Sequence, residues 1–218
     1  MVKLVSDDSL ERINEMKFCN AYKKGQILFF EGNRPLGLFC LNKGAIKVYK
    51  TGVEGKEQIV RFAQAGDFLG YRALIADEPY SATAEALEET IACFIPSDIF
   101  YNTLQTEKNF SRQMMKTLCH ELGIAREQMM NMSQKSVRER MAETLLILLD
   151  SFRHEVGQEN LIPVKLPRED IANLAGTSTE TAIRLLTEFK DDGYIELQGK
   201  MIRVANRTAL ERTARIHA

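Results

Sequence analysis

Between Tyr22 and Pro96 the apolar positions come in short runs, Ile27 to Phe30, Leu38 to Leu41, Ala45 to Tyr49, Gln58 to Phe62 and Ile91 to Ile95, separated by polar residues and glycine. Runs of this length, rich in β-branched and aromatic residues, predict strands, and their spacing predicts a compact all-β unit. After Asp98 the period changes. From Asn109 to about Met132 there is no proline, and Gly123 is the one glycine. Ser111, Met115, Leu118, Leu122, Ala125, Met129 and Met132 recur there at alternating steps of four and three. A 3.5-residue period kept for about three heptads is a coiled-coil seam, so this long helix is expected to pair in parallel with a second copy of the chain. Phe110, Met114 and Ile124 form a second apolar face, expected to pack within the chain. Polar Asn131 and the stretch from Ser133 to Ser136 then interrupt the pattern, which places a hinge before another amphipathic helix, Val137 to Phe152.

The next pattern is more specific. Leu166-Pro-Arg-Glu-Asp-Ile-Ala-Asn-Leu-Ala-Gly176 opens on a proline suited to a first helical turn, sets Glu169 and Asp170 near the positive end of the helix dipole, and stops at a glycine. Thr177-Ser-Thr-Glu180 has capping-box spacing, and the helix that follows places Ala182, Leu185, Leu186 and Phe189 on one inward face. Two helices across so short a turn predict a helix-turn-helix, with Thr179, Glu180, Ile183 and Arg184 pointing outward at the start of the second, where base contacts are made. Arg184 can take guanine O6 and N7, and Glu180 can accept from a cytosine amine. On a merely solvated helix the same two residues would form an i,i+4 ion pair. Tyr194 to Val204 reads as a hairpin with its tip at Gln198-Gly199, and Lys200 beside it is placed to touch phosphate. With Arg168 and Ser178 added, the candidate DNA-contacting set is Arg168, Ser178, Thr179, Glu180, Ile183, Arg184 and Lys200.

Composition narrows the alternatives. The chain is 44% hydrophobic and 27% charged, as in ordinary globular proteins. A net charge of -1 gives no bulk argument for a nucleic-acid partner, yet Lys200, Arg203, Arg207, Arg212 and Arg215 face one acid, Glu211, beyond Gln198. The longest apolar stretch, Leu145 to Leu149, is too short to span a bilayer, and acids near the start leave no signal-peptide pattern, so no membrane partner and a cytoplasmic location are expected. Cys19, Cys40, Cys93 and Cys119 are dispersed without CxxC pairing and read as plain buried thiols, with no metal site expected. No Ser/His/Asp set or phosphate loop is present in the sequence, so an enzyme is not expected.

These residues resemble the Crp/Fnr superfamily over nearly the whole chain. The resemblance lies in Gly66-Asp-Phe-Leu-Gly70, similar to the start of that family's phosphate-binding cassette; in Val137 to Ala142 with Thr144-Leu-Leu146; and in Thr177 to Arg184 with Gly199-Lys200. It implies an α+β chain. An N-terminal cyclic-nucleotide-binding-type β-roll (a jelly roll, or double-stranded β-helix) with flanking helices is expected over 1–108, a dimerisation helix and hinge over 109–135, and a winged helix-turn-helix DNA-binding domain over 136–218. It also implies transcription regulation by a homodimer on double-stranded DNA, contact with RNA polymerase if the chain activates, and an effector pocket at Gly70, Tyr71, Arg72, Tyr80, Ser81, Ala125 and Arg126. The expected dimer seam is Met115, Leu118, Leu122, Ala125, Met129 and Met132.

The pocket departs from the cyclic-AMP pattern. Members that bind cyclic AMP use a glutamate for the ribose and an arginine for the phosphate, and the matching positions here look like Tyr71 and Tyr80. Ala125 and Arg126 stand where those members offer hydroxyls to adenine. Without the charge-assisted contact cyclic AMP is not expected in its usual pose, and the effector is unknown. Cys19 alone does not supply an iron-sulfur cluster. Haem stays open through His120 on the long helix, although a lone histidine there is more often a surface or packing residue. The alternative reading is a cyclic-nucleotide-type sensor that regulates a partner protein without specific DNA binding, which would leave the winged helix idle.

Overall fold

A computed structural model describes residues 4–152, 160–162, 166–199 and 201–215. In chain order its elements are α1 (Asp7–Met16), β1 (Phe18–Tyr22), β2 (Ile27–Phe29), β3 (Gly37–Lys43), β4 (Ala45–Thr51), β5 (Glu57–Gln64), β6 (Phe68–Leu69), α2 (Tyr71–Ala76), β7 (Thr83–Ala86), β8 (Thr90–Pro96), α3 (Ser97–Thr106), α4 (Lys108–Gln134), α5 (Val137–Ser151), β9 (Leu161–Ile162), α6 (Arg168–Ala175), α7 (Thr179–Asp191), β10 (Ile195–Gln198), β11 (Met201–Val204) and α8 (Arg207–Thr213). They divide into two compact units, residues 1–50 with 62–127 and residues 51–61 with 128–218.

The β-roll is built from two antiparallel sheets, ordered β1-β8-β3-β6 and β2-β7-β4-β5. Period-two alternation sorts the side chains. On β3, Phe39 and Leu41 turn into the roll, where they meet Ile46, Val48, Leu69, Ala84 and Ala92. Leu38 turns outward, into a cluster with Ile13, Ile95, Phe100, Phe110 and Met114 that seats the helices on the sheet. Four of the five expected runs lie within a strand, and the first, Ile27 to Phe30, extends one residue past β2. β1, β6 and β7 were not expected: β1 is an exposed edge strand, β6 has two residues, and β7 is alanine-rich, so none shows apolar alternation.

On α4, Phe110 and Met114 are buried as expected, whereas Ile124, expected to pack within the chain, is exposed. Length explains the difference. Twenty-seven residues of helix extend about 40 Å, well beyond a seven-residue strand of about 24 Å.

In the second unit, α5 supplies the fully buried Met141, Leu145, Leu148 and Leu149, against which α6, α7 and α8 pack, while β10-β11-β9 forms a small sheet. Ser136 caps α5, its hydroxyl accepting from the Glu139 amide while the Glu139 carboxylate accepts from the Ser136 amide at 2.7 Å. Gly176 ends α6 at φ +63, its amide donating to the last carbonyls. A Cβ there would lie 2.4 Å from Cε of Met132, a flexible tip that can swing aside, so the backbone conformation sets the cost. Gly176→Ala is expected to destabilise this unit by about 1–2 kcal/mol, read as a lowered Tm in thermal unfolding.

Candidate nucleic-acid interface and effector pocket

The helix-turn-helix forms where the pattern placed it. Ala182, Leu185, Leu186 and Phe189 are buried, leaving Glu180, Ile183 and Arg184 exposed and Thr179 half-buried on the open face of α7. The cap differs by one residue. Ser178, not Thr177, accepts from the amide three residues on, that of Thr181, so the expected Thr177/Glu180 box does not form. Glu180 instead takes its own backbone amide and the Ser178 hydroxyl, which hold its carboxyl below the usual range and keep it an anionic acceptor. Arg184 pairs with Glu188 and not with Glu180, so the two proposed base readers do not neutralise each other.

Two arginines missed as positioning residues hold this helix. Arg138 binds Glu188 and Asp192 and lies over the Phe189 ring, 4.8 Å from its centroid. Arg140 donates to the carbonyls of Ala175, Gly176 and Lys135 at 3.0, 3.1 and 2.8 Å, pinning the turn between α6 and α7. The signal was available: cations in the first turn of α5 oppose its dipole, so they need another reason to be there.

In the wing, Gln198 pairs with Met201, and Gly199 at φ +63 opens the connection one residue later than the expected tip. Lys200 lies outside the described residues. Arg168 donates from Nη2 to the Gly199 carbonyl at 3.2 Å, and its buried Nη1 has no hydrogen-bond partner among the described residues.

The residues of the expected effector pocket are not drawn into one chamber. Tyr71 is buried in the outer cluster with Ile13, Leu74 and Phe100. Tyr80 lies inside the roll, stacked on Phe29 with centroids 3.9 Å apart, its hydroxyl donating to the Gly37 carbonyl at the 3.5 Å limit. Gly70 is adjacent to Tyr80, since a Cβ on it would lie 3.1 Å from that ring. Phe39 stands between Phe29 and Phe94, extending the aromatic filling. Arg72 is exposed and salt-bridged to Glu78, and Ser81, Ala125 and Arg126 are exposed. A cyclic nucleotide needs a cation for its phosphate and room for its sugar. By the family resemblance the phosphate position carries the Tyr80 phenol, which is stacked on Phe29 and offers no cation to a cyclic phosphate.

Burial pushes the Tyr80 phenol from its ordinary value of 10 up to about 12. A raised pKa favours the neutral form in the fold, so its contribution to stability is full below pH 10 and is lost as pH rises through about 12. Alkaline titration of tyrosinate absorbance should show a late-titrating group that is absent from Tyr80→Phe. That variant should otherwise cost less than about 1 kcal/mol in denaturant unfolding, because the hydroxyl makes one marginal hydrogen bond.

Along the seam, Met115, Leu122, Met129 and Met132 are 59, 53, 78 and 45% exposed in the single chain; Ala125 is exposed and Leu118 half-buried. No helix among the described residues is long and apolar enough to cross a membrane.

Residues 19–107 match the family model of the cyclic nucleotide-binding domain, and residues 139–213 match that of the Crp-like helix-turn-helix domain. The chain is 31% identical over 207 residues to the fumarate and nitrate reduction regulatory proteins of Yersinia pestis and Escherichia coli, covering 95% of this chain and 82% of each relative. Among solved structures, FixK2 from Bradyrhizobium japonicum matches with a TM-score of 0.80 at 22% identity, over 93% of this chain and 99% of that one. A CRP/FNR-family regulator from Thermus thermophilus, TTHA1359, matches with a TM-score of 0.75 at 18% identity, over 92% and 100%.

Proposed function

Because the chain belongs to the Crp/Fnr family of DNA-binding transcription regulators, we propose that it acts as a homodimer on palindromic operators, with α7 in the major groove and Glu180 and Arg184 as base readers. The observation behind this reading is the open face of α7, where a serine cap, an anionic acceptor and an exposed guanidinium stand together at the helix start. Ser178 and Arg168 are assigned to phosphate, Arg168 from its place beside the Gly199 carbonyl at the wing, and Lys200 joins them there. Thr179 and Ile183 border the base-reading pair, Ile183 offering apolar contact to a thymine methyl.

The dimer is assigned to the α4 seam of Met115, Leu118, Leu122, Ala125, Met129 and Met132, an apolar row that a single chain leaves exposed except at half-buried Leu118. Control is assigned to an effector other than cyclic AMP, supported by the filling of the roll with Tyr80, Phe29 and Phe39. The effector would shift the seam and hinge between two states and so set the two recognition helices near one DNA turn, about 34 Å, apart. RNA polymerase is the further partner if the regulator activates.

Gel shift against a pool of genomic fragments tests the reading. A few fragments should survive competitor DNA and share an inverted repeat. Uniform retention, or retention of single half-sites as strongly as repeats, would overturn the dimeric operator assignment.

A further inference from the structure

Three cysteines stand in one row across adjacent strands of the first sheet. Cys19 on β1 is directly opposite Cys93 on β8, and Cys93 is directly opposite Cys40 on β3. Opposed residues share a face, and this is the helix-covered one, since Leu38 and Ile95, two positions along, belong to that cluster. The reading of all four cysteines as plain thiols does not hold: Cys19 and Cys93 are joined as a disulfide, with Cα atoms 3.9 Å apart.

The register explains the choice of partner. Antiparallel pairs alternate between narrow and wide, and a residue in a narrow pair toward one neighbouring strand is in a wide pair toward the other. Cys93 is close to Cys19 and therefore stands in the wide relation to Cys40, which remains a free thiol. Cys40 is also half-buried, and burial pushes its thiol pKa up, so it is held protonated and weakly nucleophilic. Cys19 is exposed at the sheet edge, where soluble reagents reach it, while Cys93 is buried behind it.

We propose that Cys19 and Cys93 form a thiol-disulfide redox site on the β-roll, oxidised by small disulfides of the glutathione class and reduced by the corresponding thiols, with Cys40 held out of the exchange by register and burial. This rests on the regulatory reading in one respect: a DNA-binding regulator works where thiol pools make permanent disulfides rare, and those that form there are transient or sensing.

The exchange balances without any other reagent. The Cys19 thiolate attacks one sulfur of the small disulfide, whose S–S bond breaks, and the departing thiolate takes up the proton Cys19 had released. Cys93 then loses its proton and attacks the Cys19 sulfur of the mixed disulfide, forming the protein disulfide and expelling the second small thiol, which takes that proton. Two protein thiols and one small disulfide become one protein disulfide and two small thiols, and excess thiol reverses both steps. Oxidation therefore ties β1 to β8 covalently, and reduction leaves that edge strand held by its sheet pairing to β8.

The test is differential alkylation of the full chain, equilibrated in a graded series of reduced and oxidised glutathione, acid-quenched and peptide-mapped by mass spectrometry. Cys19 and Cys93 should gain label together as the mixture becomes reducing, while exposed Cys119 exchanges singly with glutathione and its adduct is read on its own peptide. Cys93→Ala should instead trap one glutathione on Cys19 in oxidising mixtures, because the thiol that resolves the mixed disulfide is gone. Circular dichroism confirms that each sample is folded. A bond between Cys40 and Cys93, label at Cys19 and Cys93 independent of the mixture, or no glutathione adduct on Cys93→Ala would each overturn the proposal. The readout is chemical and uses no DNA, so its failure leaves the regulatory reading standing, and loss of operator binding would leave this result unchanged.

Discussion

Leu122→Glu is expected to yield a folded monomer whose affinity for a palindromic operator falls by about a thousand-fold. The side chain is 53% exposed in the single chain, so the substitution removes little from the chain's own core. In a parallel dimer the same position is a core position of the seam, and two glutamates would be forced together between apolar rows. An unpaired charge in such a seam costs far more than the lost leucine contact alone. Without the dimer, the second half-site no longer adds its contacts to the first, and binding falls from the range of specific complexes toward that of non-specific ones, a difference of at least about three orders of magnitude. Sedimentation at micromolar concentration and fluorescence anisotropy with a labelled operator read the two effects separately. A dimeric Leu122→Glu protein would remove the seam from the dimer, and a monomer with undiminished operator affinity would remove the dimer from recognition.

The helix-turn-helix is legible in the sequence because each of its parts has a local cause. Gly176 is needed for a left-handed cap, the α7 apolar positions repeat at helical spacing, and a glycine marks the wing turn. What is displaced, the cap from Thr177 to Ser178, depends on which of two adjacent hydroxyls the turn presents to the Thr181 amide, a matter of backbone geometry that composition does not encode. Ile124 shows a different limit. Helical spacing states which residues share a face, and does not state how far the supporting surface extends beneath that face.

The sensor is less legible for a physical reason. Tyr71 and Tyr80 flank the same cassette in the sequence, yet one side chain enters the outer helical cluster and the other the roll interior. Helix α2 and its left-handed cap at Asp77, φ +53, redirect the chain between them. Cys19 and Cys93 are separated by 74 residues, and only strand register brings them opposite each other. Motif spacing carries information about neighbours along the chain, and both features are made by pairing across it.

Arg184→Ala is expected to reduce discrimination between operator and mismatched DNA by up to about 100-fold while changing non-specific binding little. In the unbound chain Arg184 is 64% exposed and paired with Glu188 across one helical turn, an interaction worth about 0.3–0.5 kcal/mol. A bidentate contact with guanine O6 and N7 is worth about 1–3 kcal/mol of discrimination, so exchanging Glu188 for the base is favourable on the right sequence and unfavourable on the wrong one. Glu188 does not then become an orphan, because Arg138 continues to bind it at 2.6 Å. The loss should therefore be confined to base-pair positions within reach of α7. The slope of binding against salt should stay nearly unchanged, since no phosphate contact is removed. Anisotropy titrations over single-base operator variants at several salt concentrations provide the measurement. A uniform loss over all sequences together with a shallower salt slope would place Arg184 on the phosphate backbone, and the base-reading role would pass to Glu180 and its neighbours on the same face.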